Sequence, residues 1–139
     1  MGTTRVQTPE AGTRDYVSPE GCLIKQILDD LVAAVNGAQA AIFLDGEGET
    51  ISQSGDHDID VQMIGAWKEI ELDRIKNISK RFNLGEVHAV LFSLDQINEL
   101  VVPVADEYCL LLMLSALANI QEAMTAVKKT IERLKEDMR

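Results

Sequence analysis

The sequence predicts an α+β fold in which a five-stranded antiparallel sheet carries two helices on one face and the middle helix on the other. In three segments, apolar residues recur at spacings of three and four, which is typical of helices. Five shorter apolar runs lie between turn residues and predict strands. The resulting order is αββαβββα. Links between neighbouring strands are short, which implies antiparallel pairing, and strands that are apolar on both faces need helices on both sides.

The predicted domain covers residues 18–139 and follows a flexible tail, residues 1–17. The tail is rich in Thr, Gly, Pro and charged residues, which is typical of a terminus that lies outside the fold. A chain of 139 residues suits one domain with a core of its own.

The first and last helices have clear apolar stripes. The first is predicted to begin at Ser18, because Ser caps free backbone amides and the following Pro19 fits the first turn. It is predicted to end at Asn36 and Gly37. The last helix is predicted over residues 119–138. The two stripes consist of Ile24, Ile27, Leu28, Leu31, Val32 and Val35, and of Ile120, Ala123, Met124, Val127, Ile131, Leu134 and Met138.

The five strands differ in how apolar they are, and this predicts their places in the sheet. Residues 40–44 are apolar throughout and predict an inner strand, which an Asp-Gly turn joins to a polar edge strand over residues 49–54. Residues 86–93 and 97–104 predict two further strands. Residues 108–114 form the most apolar strand, which is expected at the centre of the sheet.

The middle helix, residues 60–82, has more apolar surface than one contact requires. Its possible apolar face contains Ile64, Trp67, Ile75, Ile78 and Phe82. Met63 and Ile70 widen this face, whereas Leu72 falls elsewhere. A helix of this kind often has a second partner. Trp67, the only tryptophan, is either a core residue or an interface anchor. As an anchor it would share a patch with Met63, Ile70 and Arg74.

Composition excludes several functions. The net charge of −10 argues against nucleic acid or an anionic membrane as the main partner, because both repel an acidic surface. The sequence begins without an apolar signal region, and its longest apolar run is too short to cross a bilayer. A cytoplasmic protein without membrane insertion is therefore expected. Cys22 and Cys109 are expected to be buried and reduced.

Motifs for chemistry are missing, so the sequence predicts a protein that is not an enzyme and needs no cofactor or metal. Asp56, His57, Asp58 and Asp60 could be imagined as ligands of a metal, but a capped helix start explains them without one and is the favoured interpretation. A hydrolase or metal enzyme is thus a distant alternative. His88 alternates with apolar residues, which favours a packed or interface position over catalysis.

Two stretches resemble the roadblock family, which includes dynein-associated light chains and bacterial MglB-type proteins. They are LDDLVAAVNGAQAAIFLDGEGETISQSG, residues 28–55, and ELVVPVADEYCLLLMLS, residues 99–115. The small residues that lead into the last helix, residues 116–119, are also similar. The order of the helices and strands is also similar to that of the family, so the resemblance extends from about Pro19 to Met138.

The resemblance implies a non-catalytic homodimer or heterodimer that binds a small Ras-like GTPase as a scaffold, a localiser or an activating partner. It implies that the middle helices of two copies pack together and that the third strand pairs with its mate. The residues assigned to the dimer interface are Met63, Trp67, Ile70, Arg74, His88 and Val90, and those assigned to the GTPase surface are Lys68, Glu71 and Lys76. The alternative is a small-molecule sensor of similar shape, with a pocket between the sheet and a helix.

Overall fold

The computed structural model describes residues 19–55 and 61–138, and its elements follow the predicted order. The helices are α1 (Pro19–Ala34), α2 (Val61–Arg81) and α3 (Ile120–Asp137), and the strands are β1 (Ala38–Leu44), β2 (Thr50–Gly55), β3 (Val90–Ser93), β4 (Ile97–Val104) and β5 (Tyr108–Ser115). The predicted tail, the Ser18 cap and the acidic segment with His57 lie outside the described residues, as does the side chain of Cys22.

The five strands form one antiparallel sheet in the order β2-β1-β5-β4-β3. The predicted central position of β5 and the predicted edge position of β2 are both confirmed. Side chains alternate between the two faces of a strand, so each inner strand supplies two cores. Cys109 of β5 is fully buried, as expected from the sequence.

Helices α1 and α3 cover one face of the sheet. Both predicted stripes lie in this core, in which Leu28, Leu31, Phe43 and Leu134 are among the fully buried or nearly fully buried side chains. The two helices are also joined at the surface by an ion pair between Arg133 and Asp30, with 3.0 Å between the charged atoms. This face of the sheet is closed by two helices, as the sequence predicts.

Among the helices that the structure describes, only α2 covers the opposite face, and few of its described side chains are buried. Among the α2 residues whose side chains the structure describes, Leu72 and Lys68 are buried, at 2% and 8% exposure. Leu72, which lies off the predicted apolar face of the helix, is the one that joins the core with Ile42, Leu44 and Leu111. The sequence did not indicate this role for Leu72.

Strand β3 is shorter than predicted. The sequence predicts a strand over residues 86–93, but pairing with β4 begins only at Val90, opposite Val101. Continuing this register would place His88 opposite Pro103, which has no N–H group to donate to the ladder. Residues 84–89 are therefore irregular, and β3 is a short edge strand.

Candidate interaction surface on helix α2 and strand β3

The outer face of α2 is an exposed apolar stripe. Trp67, Ile70, Ile78 and Phe82 are 66%, 54%, 51% and 68% exposed. Steps of three, four and eight residues place them on one side of a helix, and the exposed Leu84 lies just beyond its end. Single exposed apolar residues are common, but a contiguous row marks an interaction surface. This stripe is the largest such feature along α2.

The edge of β3 adds backbone groups to this surface. One side of β3 pairs with β4, and none of the strands that the structure describes pairs with its other side. Val90 and Phe92 pack under α2, whereas Leu91 points to the opposite face and is 43% exposed. A short strand with free N–H and C=O groups beside an apolar helix is a template for pairing with a second strand.

The residues assigned to a dimer interface occupy different positions on this surface. Trp67 and Ile70 lie on the apolar stripe, and Arg74, also exposed, lies on the same side between Ile70 and Ile78. His88 is exposed just before β3, so it is not packed inside this chain. Val90 is half-buried, and the side chain of Met63 lies outside the described residues.

The residues assigned to a GTPase surface are less exposed than expected. Glu71 and Lys76 are half-buried. Lys68 points inward: its Nζ lies 3.1 Å from Oε1 of Glu99 and 3.4 Å from Oε1 of Glu71. Because this ammonium group lies between α2 and the sheet, it is not placed to meet a partner directly.

Sequence reasoning missed the role of Glu99. This carboxylate is only 6% exposed and lies on β4, in a strand whose following residues are all apolar or Pro. A charged residue in a central strand needs a buried partner of opposite charge. That mismatch was the signal in the sequence, and the structure identifies Lys68 as the partner.

Two open grooves flank Lys76 at the end of the sheet where the β1–β2 and β4–β5 turns lie. The first has a volume of about 490 Å³ and lies between the C-terminal half of α2 and residues such as Val87 and Pro103. The second has a volume of about 410 Å³. Its carboxylates are those of Asp45, Glu47, Asp73, Asp106 and Glu107. Within residues 19–55 and 61–138, no group of three or more His, Cys, Asp or Glu residues is arranged to hold a metal ion.

None of the helices in the described part of the chain combines the length and the apolar character needed to cross a membrane.

Comparison with solved structures identifies the fold. No protein-family model and no curated protein sequence matches this chain. The roadblock/LC7 domain from Streptomyces avermitilis is 19% identical with a TM-score of 0.76, over 82% of this chain and 96% of that one. Myxococcus xanthus MglB is 15% identical with a TM-score of 0.79, over 88% and 92%. An MglB structure with a tetrameric arrangement is 11% identical with a TM-score of 0.79, over 88% and 92%. These similarities confirm the fold implied by the sequence: this chain has the roadblock/LC7 fold.

Proposed function

We propose that this chain is a non-catalytic regulatory module that forms a homodimer in the cytoplasm and binds a small Ras-like GTPase. The observation that carries the proposal is the exposed apolar stripe of α2 beside the unpaired edge of β3. Apolar surface is costly to leave in water, an open strand edge is a template for pairing, and one arrangement covers both. In it, α2 of each copy packs against α2 of the other, and the two β3 strands pair.

The apolar stripe provides a free energy of association of about the same size as its cost. Burying a fully exposed Ile or Phe side chain contributes about 1.5–3 kcal/mol. Trp67, Ile70, Ile78 and Phe82 are each half to two-thirds exposed, so each contributes about 1–2 kcal/mol if a partner covers it completely. A two-fold interface counts every residue twice, which gives roughly 8–16 kcal/mol to set against the cost of association, about 4–15 kcal/mol.

The GTPase assignment rests on the resemblance to the roadblock family and on the similarity of the fold to MglB. Glu71 and Lys76 remain the candidate contacts, because they are the two residues assigned to the GTPase surface that are not enclosed between helix and sheet. The module would act as a scaffold or as a GTPase-activating partner.

Replacing Trp67 by glutamate tests the dimer. A charge at this position of the stripe should convert the dimer to a monomer in light scattering, with an unchanged circular dichroism spectrum. Leu117 is 96% exposed in the turn before α3, and Leu117→Glu is a matched control that should remain dimeric. If Trp67→Glu remains dimeric with its fold intact, the interface lies elsewhere.

Nucleotide-loaded GTPases test the partner. Purified small Ras-like GTPases from the source organism, loaded with GDP or a non-hydrolysable GTP analogue, are offered to the immobilised protein. Single-turnover hydrolysis is then measured for each GTPase that binds. Faster hydrolysis supports an activating role, whereas binding that ignores the nucleotide and leaves hydrolysis unchanged supports a scaffold. Failure of every GTPase to bind contradicts the proposal.

The groove beneath the C-terminal half of α2 favours a second candidate, a small-molecule sensor. Its volume of about 490 Å³ falls within the range of ligand pockets. Its lining combines Val87 and Pro103 with Lys76, Ser79 and Asn83. A thermal-shift screen tests this function, and a screen in which no metabolite raises the melting temperature removes it.

A further inference from the structure

One charged side chain interrupts an apolar row on the face of the sheet that α2 covers. Phe92 of β3 lies opposite Glu99 of β4, which in turn lies opposite Met113 of β5, which pairs with Ala40 of β1. Glu99 and Met113 are 6% and 5% exposed. Glu99 is thus a buried carboxylate between two apolar neighbours.

Lys68 of α2 extends into this row. Its Nζ lies 3.1 Å from Oε1 of Glu99 and 4.0 Å from the centre of the Phe92 ring. The same atom lies 5.9 Å from the centre of the Trp67 ring. Lys68 therefore contacts the buried row of the sheet and the first residue of the exposed stripe at once.

The apolar contacts that the structure describes for α2 would by themselves leave its rotation weakly determined. Among the α2 side chains that the structure describes, Leu72 is the only apolar one that is buried, and apolar contact has no preferred direction. An ion pair in a confined site is directional, and its strength depends on distance. Adjacent helical residues lie about 100° apart around the axis, so fixing Lys68 against Glu99 also fixes where Trp67 points.

We infer that Lys68 and Glu99 form a positioning pair, which sets the rotation of α2 and so aligns its apolar stripe with the edge of β3 for a second copy of this chain. The inference rests on the proposed dimer. Buried ion pairs add little net stability compared with apolar residues of similar size, and in some proteins they specify one arrangement among several. Here the arrangement is the angle at which the α2 stripe meets its mate.

Replacing both residues separates positioning from stability. The double variant Lys68→Met/Glu99→Leu replaces the pair by apolar side chains of similar length. At concentrations where both proteins are monomeric, it should unfold at a denaturant concentration close to that of the wild type. We expect its dimer dissociation constant to rise about tenfold or more, measured by sedimentation at several concentrations. Either single variant leaves one charge buried without its main partner and should be the less stable protein.

A second readout reports the helix rotation itself. Trp67 is the only tryptophan in the sequence, so 5-fluorotryptophan labelling gives one ¹⁹F resonance for each environment of its ring. In the monomeric range of concentration, we expect one sharp line for the wild type and a broadened or split line for the double variant. The exposed pair Asp30 and Arg133 supplies the control: Asp30→Asn/Arg133→Gln should change neither the line nor the dissociation constant.

Reversing the charges keeps the test valid if the double variant fails to fold. Because Glu71 also contacts Lys68, the reversal Lys68→Glu/Glu99→Lys is made together with Glu71→Gln, which removes the like-charge contact on α2. It restores an ion pair between helix and sheet, and we expect it to recover the single line and most of the dimer affinity. A double variant with the wild-type line and the wild-type dissociation constant overturns the positioning role. A wild-type protein that stays monomeric at every concentration overturns the proposed dimer instead, and the ¹⁹F line still decides whether the pair positions α2.

Discussion

Replacing Leu72 by alanine tests whether α2 is held to the sheet as the structure describes. Leu72 is 2% exposed and belongs to the core on the α2 side of the sheet. A Leu→Ala change at such a site costs about 2–5 kcal/mol, from lost transfer free energy and the cavity left behind. At about 3–5 °C per kcal/mol for a protein of this size, the melting temperature should fall by roughly 6–25 °C. Ile78→Ala is the matched control, because Ile78 lies on the same helix but is 51% exposed.

The assay is denaturant unfolding followed by circular dichroism at several protein concentrations. Trp67 is 66% exposed, so its fluorescence is better suited to following association than unfolding. At the lowest concentration, where both variants are monomeric, Ile78→Ala should cost less than about 1 kcal/mol. If the protein forms the proposed dimer, Ile78→Ala should lose part of the stability that association adds at higher concentration. Equal destabilisation by the two variants in the monomer would mean that the faces of α2 are wrongly assigned.

Three further outcomes are expected. Asn119→Ala should cost about 1 kcal/mol in thermal unfolding, because its side chain accepts the backbone N–H of Glu122 and caps α3. Gly55→Ala should lower soluble yield and melting temperature, because a Cβ atom at φ +100° would overlap the backbone of β1. The Ser54 hydroxyl is the main cause that lowers the pKa of Asp29; stability should therefore fall below about pH 4 as Asp29 is protonated, and Asp29→Asn should show a smaller fall in acid titration.

The core between the sheet and helices α1 and α3 was predictable, because the apolar stripes of these helices consist of the residues that pack there. The α1 residues Ile24, Leu28 and Leu31 recur at helical spacing, and all three are buried in the core between α1, α3 and the sheet. Strand β5 was predictable for a similar reason, since a run that is apolar at every position fits only the centre of a sheet covered on both faces. For these elements, local pattern and global burial agree.

The packing on the α2 side of the sheet was less predictable, because the exposed apolar stripe of α2 points away from the sheet. Periodicity shows which side chains share a face, but not whether that face meets the chain's own core or a partner. Leu72 and Lys68 pack inward, although Leu72 lies off the predicted apolar face and Lys68 is charged. The length of β3 was overestimated because residues 86–89 have strand-like composition, while the missing donor of Pro103 lies on a different strand and is invisible to a local pattern.

On the side of the molecule formed by α2 and β3, few of the described α2 side chains are buried, and β3 pairs with one strand only. A layer with few buried apolar contacts has a low local free energy of opening. Any partner that binds only the closed form then stabilises it in proportion to its concentration. The stability of α2 should therefore depend on association far more than that of α1 and α3, and hydrogen exchange in α2 should slow with rising protein concentration while exchange in α1 stays nearly constant. Equal concentration dependence in both helices would show that α2 is complete without a partner.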